Sequence, residues 1–140
     1  MKSYIIEIPK IVDEKGRGSL SVIEKECIPF KINRVYYLYD VPSSAYRGGH
    51  AHIEQLEFLV AVSGSFDVIL DDGNTKKSIT LNKPNKGLLI STGTWRELDN
   101  FSSGAVCLVL SSGEFDEEDY IREYEDFTSF VSSNVNTKFE

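Results

Sequence analysis

Short apolar stretches separated by polar turns run along most of the chain. Their β-branched, aliphatic and aromatic residues alternate with polar residues or form brief runs, a pattern typical of strands. The pattern predicts strands over residues 4–8, 19–23, 34–41, 57–62, 66–70, 78–81, 88–91, 96–100 and 105–110. Two of the gaps, 63–65 and 71–74, hold Gly among small polar residues and are predicted to be hairpin turns. Many short strands with polar turns predict an all-β sandwich, jelly roll or barrel.

Helical spacing replaces this alternation near the carboxyl end. Asp116 is a candidate N-cap followed by acidic residues, and Tyr120, Tyr124 and Phe127 recur at helical spacing. We therefore predict a short C-terminal α-helix that begins near Asp116 and packs on the outside of the barrel. We expect a flexible tail over residues 132–140. Because the chain has only 140 residues, residues 1–131 are predicted to form a single domain.

Composition and charge narrow the class of protein. The formal net charge is −7, which argues against nucleic acid as a partner because binding to a phosphate backbone needs a basic face. No apolar run approaches the roughly 20 residues of a membrane span, and the amino terminus does not resemble a signal peptide. Cys27 and Cys107 are too few to define a disulfide framework and are expected to be free thiols. We expect a cytoplasmic enzyme that does not bind a membrane.

The segment Arg47–His52 is the strongest candidate for chemistry. It contains both histidines of the chain, His50 and His52, which share a face if the segment is extended. Glu57 follows after four residues and Gly64 after six more, a spacing that resembles the first motif of the cupin superfamily. In the metal-binding cupins, two His and one Glu hold a divalent ion inside a jelly-roll barrel.

The second cupin motif argues against a metal in this chain. Arg96 stands where the fourth ligand, a His, is expected, and a guanidinium cannot bind a cation and would repel one in a low-dielectric interior. We predict no metal and no cofactor. Paired histidines without a metal indicate general acid–base chemistry, because imidazole titrates near neutral pH.

Several motifs together resemble a narrower family, the dTDP-4-oxo-6-deoxyglucose 3,4-ketoisomerases. The resemblance covers about residues 11 to 130 and rests on Pro84 and on the segments 28–37, 47–52, 64–65, 68–73, 87–88, 95–97, 101–103, 109–110 and 119–124. It implies a cupin jelly-roll barrel and a homodimer that exchanges amino-terminal strands. It also implies a dTDP-linked keto-deoxy sugar as the substrate, whose ketone moves from C4 to C3 through an enediol without a redox cofactor. In this family the product usually serves the biosynthesis of 3-amino sugars for surface glycans.

The resemblance also implies roles for individual residues. By position, His50 is the base that moves the proton, His52 supports it, and Tyr36 lies near the sugar. Arginine binds planar anions in a bidentate way, so Arg34 and Arg47 are candidates for the diphosphate and the sugar oxygens. The remaining candidates for substrate binding are Arg17, Arg96 and Glu97.

Two departures from the family pattern keep parts of this interpretation open. Ile53 and Glu57 stand where the family commonly has Lys and Gln. Family members that form a galacto product tend to pair Arg with His at the positions of Arg17 and Arg96, and gluco-type members pair Tyr with Arg. This chain has Arg at both, so the C4 configuration of the product stays open, with Arg96 favouring gluco.

Three other functions remain possible on the sequence alone. They are a metal-dependent cupin enzyme, a non-catalytic module that binds a sugar nucleotide, and a 3,5-epimerase acting on the same substrate. The last would exchange protons at C3 and C5 but leave the ketone at C4.

Overall fold

Twelve strands, one 3₁₀ turn and one helix make up the part of the chain that the structure describes, residues 3–138. The structure is a computed structural model, and it describes side chains as far as residue 134. The first six strands are β1 Tyr4–Glu7, β2 Ile11–Val12, β3 Ser19–Leu20, β4 Arg34–Leu38, β5 Arg47–His52 and β6 Glu57–Ser63. The others are β7 Phe66–Asp71, β8 Lys76–Leu81, β9 Lys86–Ile90, β10 Trp95–Asp99, β11 Val106–Ser111 and β12 Tyr120–Ile121. The 3₁₀ turn is Glu117–Asp119, and the helix α1 is Tyr124–Lys138.

Ten of these strands form two five-stranded antiparallel sheets that face each other. The first sheet has the order β1-β9-β6-β11-β4, and the second has the order β12-β5-β10-β7-β8. The short strands β2 and β3 form a separate ribbon. This arrangement confirms the predicted all-β jelly roll with a C-terminal helix.

Apolar side chains fill three layers around the two sheets. The inner core lies between the sheets and includes Leu59, Phe66 and Val109. The outer face of the first sheet is covered by the segment around Ile8 and Ile28. On the outer face of the second sheet, α1 inserts the fully buried Phe127 against Ala51, Trp95 and Ile121.

Strand alternation decides which polar residues enter the space between the sheets. Leu59 and Ala61 of β6 belong to the inner core, so Glu57, on the same face, points inward as well. Ala51 of β5 packs outward under α1, so His50 and His52, on either side of it, point inward. The same rule places Arg96 inside and Trp95 outside on β10.

One predicted turn and one predicted helix start need correction. The sequence predicts a hairpin turn at residues 63–65, but β6 and β7 belong to different sheets, so this segment is a corner that carries the chain from one sheet to the other. Gly64 has φ +67 there, the backbone conformation that also suits a hairpin, which is why the local signal misleads. The prediction for 71–74 is confirmed, because β7 and β8 pair directly from Asp71 opposite Lys76.

The predicted helix start at Asp116 is also wrong. Asp116 caps only the 3₁₀ turn, where its side chain accepts a hydrogen bond from the Glu118 N–H. Tyr120 and Ile121 then pair with β5, and α1 begins at Tyr124. The helix occupies 132–138 of the segment expected to be a tail, and residues 139 and 140 lie outside the described residues. Within residues 3–138, no helix combines the length and the apolar character needed to span a bilayer.

Candidate functional site

Polar side chains from both sheets meet at one end of the inner core. On the first sheet, Arg34, Ser111 and Glu57 lie side by side on β4, β11 and β6 because they are register partners. On the second sheet, Arg96 lies opposite His50. The inward-facing residues of the two sheets therefore form one cluster between them, although they are far apart in the sequence.

Glu57 is the centre of the cluster. Its side chain is 1% exposed. Its Oε1 accepts a hydrogen bond of 2.7 Å from Arg96 Nη1, and its Oε2 accepts one of 2.8 Å from the Tyr36 hydroxyl. Arg34 Nη2 lies 3.6 Å from Oε2. Burial alone would raise the pKa of Glu57, but the surrounding His52, Arg96 and Tyr36 lower it to about 2, so the carboxylate is charged at neutral pH.

The position of His50 opposite Arg96 depends on a β-bulge at two glycines. Arg96 pairs with His50 and Glu97 with Gly48, so Gly49 is an extra residue in β5. Gly48 and Gly49 have φ of +96 and +61, which side-chain-bearing residues rarely adopt. A Cβ on Gly48 would lie 3.2 Å from the Arg96 carbonyl oxygen and from Glu97 Cα. The sequence Gly-Gly before His50 thus allows the two strands to approach closely at the site.

The Nδ1 atom of His50 lies 3.2 Å from the Gly48 carbonyl oxygen. A carbonyl can only accept, so Nδ1 carries the proton and Nε2 presents its lone pair. Burial and the charge of Arg96 lower the pKa of His50 to about 3. The imidazole is therefore neutral at pH 7, with an unprotonated Nε2.

His52 is fully buried beside His50, with the two ring centroids 4.9 Å apart and the rings perpendicular. Its Nδ1 lies 2.9 Å from Asp119 Oδ2, and its Nε2 lies 3.4 Å from Glu57 Oε1. Tyr120 packs against both imidazoles, with ring centroids 5.0 Å from His50 and 4.4 Å from His52. The histidines thus have little freedom to rotate.

Three buried side-chain nitrogens in the described part of the chain have no hydrogen-bond partner, and all belong to this cluster. They are Arg34 Nε, His50 Nε2 and His52 Nε2. Buried polar atoms are otherwise nearly always paired, so three unpaired ones in one place indicate a site for a polar ligand. Arg34 Nε is a hydrogen-bond donor, and the other two atoms are imidazole nitrogens, which can accept or donate a proton.

A second polar layer holds Arg34 in place. Its Nη2 donates to Gln55 Oε1 at 3.1 Å and to Ser111 Oγ at 3.4 Å, and its Nη1 donates to the Tyr120 hydroxyl at 3.4 Å. Gln55 in turn donates to the Glu114 carbonyl. These contacts aim the guanidinium at Glu57 and at the histidines.

The structure brings together five of the eight residues predicted for the site and leaves three apart. His50, His52, Tyr36, Arg34 and Arg96 lie in the cluster. Arg17 lies exposed on the turn between β2 and β3, where it forms an ion pair with Asp13. Arg47 is exposed at the beginning of β5. Glu97 follows Arg96 on β10, so it points to the opposite face and accepts a hydrogen bond from Trp95 Nε1. The substrate roles of Arg17, Arg47 and Glu97 stay predictions.

Sequence reasoning misses Asp119, Gln55, Ser111 and Tyr120. The helical spacing places Asp119 and Tyr120 in a helix, and only their pairing with β5 shows that they face the histidines. Gln55 and Ser111 carry no motif that singles them out. The parity of Ser111 with Val109 on β11 is the one signal that could have placed it inside.

His50, His52 and Glu57 have the spacing of a metal site, with one ligand atom from each within 4.8 Å of the others. The donor set does not fit a divalent ion, however. Both oxygens of Glu57 already accept hydrogen bonds, and one of the donors is the cation Arg96. A metal would lie beside a buried guanidinium, which repels it strongly in a low-dielectric interior.

Comparison with known proteins identifies close relatives over nearly the whole chain. The family described as "FdtA: WxcM-like, C-terminal" matches residues 1–132. The chain is 44% identical over 133 residues to a TDP-4-oxo-6-deoxy-alpha-D-glucose-3,4-oxoisomerase of Aneurinibacillus thermoaerophilus, covering 94% of each protein.

Two solved structures share the fold closely. A 3,4-ketoisomerase from Helicobacter canadensis superposes with a TM-score of 0.90 and 44% identity, covering 94% of this chain and 98% of that one. A His-to-Asn mutant of the 3,4-ketoisomerase QdtA from Thermoanaerobacterium thermosaccharolyticum, in complex with TDP-4-keto-6-deoxyglucose, superposes with a TM-score of 0.89 and 36% identity, covering 94% of both chains.

Proposed function

This chain belongs to the FdtA, WxcM-like family, and from that premise we propose that it is a TDP-4-oxo-6-deoxyglucose 3,4-ketoisomerase that uses His50 and His52 for proton transfer. The observation that carries the proposal is the pair of inward-facing imidazoles, one half-buried and one buried, whose Nδ1 atoms are anchored and whose Nε2 atoms are unpaired. Isomerisation of a hydroxyketone needs only proton transfers, which such a pair can perform without a cofactor.

His50 acts as the base that removes the C3 proton. The neighbouring C4 carbonyl makes this proton acidic, and the neutral imidazole accepts it at Nε2. The low pKa of His50, about 3, makes it a ready donor once protonated, so it returns the proton to C4. One group can therefore serve both carbon atoms.

His52 completes the balance of protons. Loss of the C3 proton gives an enediolate with its charge on O4 and a hydroxyl on C3. His52 Nε2 accepts the proton of the C3 hydroxyl and donates it to O4, while His50 protonates C4. The product has a ketone at C3 and a hydroxyl at C4, and both histidines end neutral.

The positive side chains stabilise the oxygen that becomes negative. Arg34 Nε has no protein partner and can donate to the enediolate or to a sugar oxygen. Arg96 is bound to Glu57 and to the Thr94 carbonyl, so it contributes its charge from behind the histidines. Arg47, exposed at the start of β5, is our candidate for the diphosphate.

Tyr36 acts by positioning and not as a base. Burial and the neighbouring Glu57 carboxylate raise the pKa of its hydroxyl, which donates its hydrogen bond to that carboxylate. The phenol therefore keeps its proton at neutral pH. The Tyr36 hydroxyl holds Glu57 in place. The Arg34 guanidinium lies over the Tyr36 ring, 5.1 Å from its centroid.

A nuclear magnetic resonance assay in heavy water tests this function. The protein is incubated with TDP-4-oxo-6-deoxyglucose, and the sugar is followed with and without a metal chelator. We expect a C3 ketone and a rate that the chelator does not change; deuterium at C4 measures how far the proton on His50 exchanges with solvent before it is returned, and the coupling constants of the product give its C4 configuration. Exchange at C5 with the ketone kept at C4 would indicate a 3,5-epimerase, and chelator-sensitive turnover a metal enzyme. Binding without turnover would indicate a non-catalytic module.

The variant His50→Asn isolates the base. Removing the proton acceptor is expected to lower turnover at least about 10²-fold, the ordinary contribution of a general base, with TDP binding unchanged. Cys27→Ser is a matched control because Cys27 lies outside the cluster, in the segment that covers the first sheet. Full activity of His50→Asn would contradict the assignment.

We further propose that the enzyme is a homodimer that exchanges its amino-terminal strands. Large apolar side chains are exposed on the β2–β3 ribbon, on the edge strand β4 and just after it: Ile11, Val12, Leu20, Val35, Tyr37 and Tyr39. Contiguous exposed apolar surface is typical of an interface. Arg17 lies on the same ribbon, so the packing of two subunits decides whether it reaches a substrate. The cytoplasmic location stays a prediction from the sequence.

A further inference from the structure

Asp119 is a buried carboxylate on a 3₁₀ turn, 67 residues away from His52, with which it forms a hydrogen bond. Its backbone is tied to the end of β5, because its N–H donates to the Asp116 carbonyl and its own carbonyl accepts from the Ile53 N–H. Its position relative to His52 is therefore fixed by the main chain.

Both oxygens of the Asp119 carboxylate accept hydrogen bonds. Oδ1 accepts from the Glu54 N–H at 2.7 Å, and Oδ2 accepts from the Gln55 N–H at 3.2 Å and from His52 Nδ1 at 2.9 Å. All three neighbours are donors, which a carboxylate can satisfy and a neutral amide cannot.

From this geometry we propose that Asp119 is a positioning residue that sets the tautomer of His52. Because a carboxylate only accepts, it keeps the proton on Nδ1 and leaves a lone pair on Nε2, which has no hydrogen-bond partner and lies on the inward side of the ring, 3.4 Å from Glu57 Oε1. This inference rests on the proposed function, in which His52 Nε2 accepts the proton of the C3 hydroxyl.

The opposite tautomer would be inactive in that step. With the proton on Nε2, the ring would donate toward Glu57 Oε1, which lies 3.4 Å away, and no lone pair would face the substrate. Glu57 thus favours a proton on Nε2 of the neutral ring, whereas Asp119 favours a proton on Nδ1. The carboxylate of Asp119 decides the outcome because its contact is shorter.

The test is Asp119→Asn. The Glu54 N–H makes the shortest of the three contacts, 2.7 Å, so we expect the amide oxygen to stay on it, which leaves the NH₂ group facing His52 Nδ1 and the Gln55 N–H. That group donates, so it requires an unprotonated Nδ1 and moves the proton to Nε2. We expect kcat to fall about 10²- to 10⁴-fold, as when a carboxylate that orients a catalytic histidine is replaced by an amide, with little change in TDP binding.

Nitrogen-15 resonance of the imidazoles gives a readout that a merely structural role would not move. The chain has two histidines, so the His50→Asn background leaves His52 as the one signal. We expect a protonated Nδ1 and an unprotonated Nε2 with Asp119, and the reverse with Asp119→Asn. Measuring the tautomer with Asp119 intact also tests the proposal if the Asn variant fails to fold.

Asp116→Asn is the matched control. Asp116 lies on the same turn and caps it, but it is exposed and does not contact the histidines. Its replacement should leave kcat and the His52 tautomer unchanged. An unchanged tautomer in Asp119→Asn, or a loss of kcat equal to that of Asp116→Asn, would overturn the proposal. If the unmodified protein shows no isomerisation, the proposed function fails, and the tautomer measurement still decides the role of Asp119.

Discussion

Two imidazoles on the same strand are anchored by different acceptors. His50 donates to a neutral backbone carbonyl and His52 to a carboxylate. Burial and the charge of Arg96 lower the pKa of His50, whereas the carboxylates of Asp119 and Glu57 flank His52. This asymmetry suits a division of labour, in which His50 moves the carbon proton and His52 moves the hydroxyl proton.

Glu57 occupies a metal-ligand position, but its contacts make it the counter-ion of Arg96. Arg96 is 2% exposed, and its one carboxylate contact within the described residues is Glu57. Loss of this partner would leave a buried guanidinium uncompensated. We therefore regard Glu57 as the residue whose charge compensates the buried guanidinium of Arg96.

We predict that Glu57→Gln destabilises the fold by roughly 3–5 kcal/mol at pH 7, because it leaves a buried charge unpaired. The folded pKa, about 2, lies below the ordinary value of 4.5, so the carboxylate stabilises the fold fully above about pH 4.5 and less as the pH falls toward 2. The difference between the two proteins should shrink over that window. Urea denaturation at several pH values measures it.

Glu117→Gln provides the contrast. Glu117 also pairs with an arginine, Arg122, but both side chains are exposed to solvent, which screens the pair. Its replacement should change the free energy of unfolding little at any pH. Equal effects of the two substitutions would show that the buried pair has no special role.

The β-bulge of β5 is the element on which the register of the site depends. Gly49 is the extra residue, and beyond it Arg96 lies opposite His50. Without the bulge, the residues following it would shift by one and turn to the other face of the sheet. The pair of glycines is therefore structural, even though it lies next to the histidines.

Gly48→Ala should both weaken the fold and lower activity. The new Cβ would meet the backbone at Arg96 and Glu97, which cannot move without shifting Arg96, and the positive φ adds strain. We expect a loss of about 1–3 kcal/mol in the free energy of unfolding, together with reduced kcat. Urea denaturation and the isomerisation assay measure the two effects.

Gly18→Ala separates the backbone strain of a positive φ from the steric contact of the new Cβ. Gly18 has a similar φ of +107, but a Cβ there would meet nothing within 4 Å. It should lose only the strain energy and keep its kcat. If both variants lose the same stability and neither loses activity, the close approach of β5 and β10 is unimportant for the site.

The molecule as a whole consists of two facing sheets whose outer faces are only partly covered within the chain. The helix α1 covers the outer face of the second sheet, and residues near Ile8 and Ile28 cover part of the first. The edge strand β4 and the β2–β3 ribbon keep large apolar side chains exposed. A second subunit would bury this surface, as the proposed dimer requires.

Cross-linking can test the exchange of strands. Tyr4 and Leu89 are register partners of β1 and β9, and partners in an antiparallel pair lie within disulfide distance. In the background Cys27→Ser, a Tyr4→Cys/Leu89→Cys protein should form a covalent dimer on oxidation if the strands are exchanged. A covalent monomer would mean that β1 pairs within its own chain.

Asp67→Cys/Thr80→Cys is the control pair. These residues are partners in the β7–β8 hairpin, whose strands are joined by a short turn. Their disulfide should form within one chain in either case. Light scattering of the unmodified protein should give twice the mass of one chain, and a monomer would reject the dimer altogether.

The sequence by itself predicted most of the strands, though not β2 or β12, and the side chains that share a face near the histidines. Alternation reports which face of a strand a side chain occupies, and this rule alone places His50 with His52 and Tyr36 with Arg34. The residue type of Arg96 alone shows that it cannot be a metal ligand. Alternation also shows that the adjacent Arg96 and Glu97 cannot both face inward, so any role of Glu97 lies on the other face of the sheet.

Only the tertiary structure decided which side chains meet. The corner at 63–65 and the hairpin at 71–74 have similar turn chemistry, and the pairing of distant strands distinguishes them. Asp119 reaches His52 because the two-residue strand β12 joins the edge of the second sheet, a contact with no local signal. Periodicity encodes the face of an element but not its partner, because the partner is chosen by packing and pairing across the whole chain.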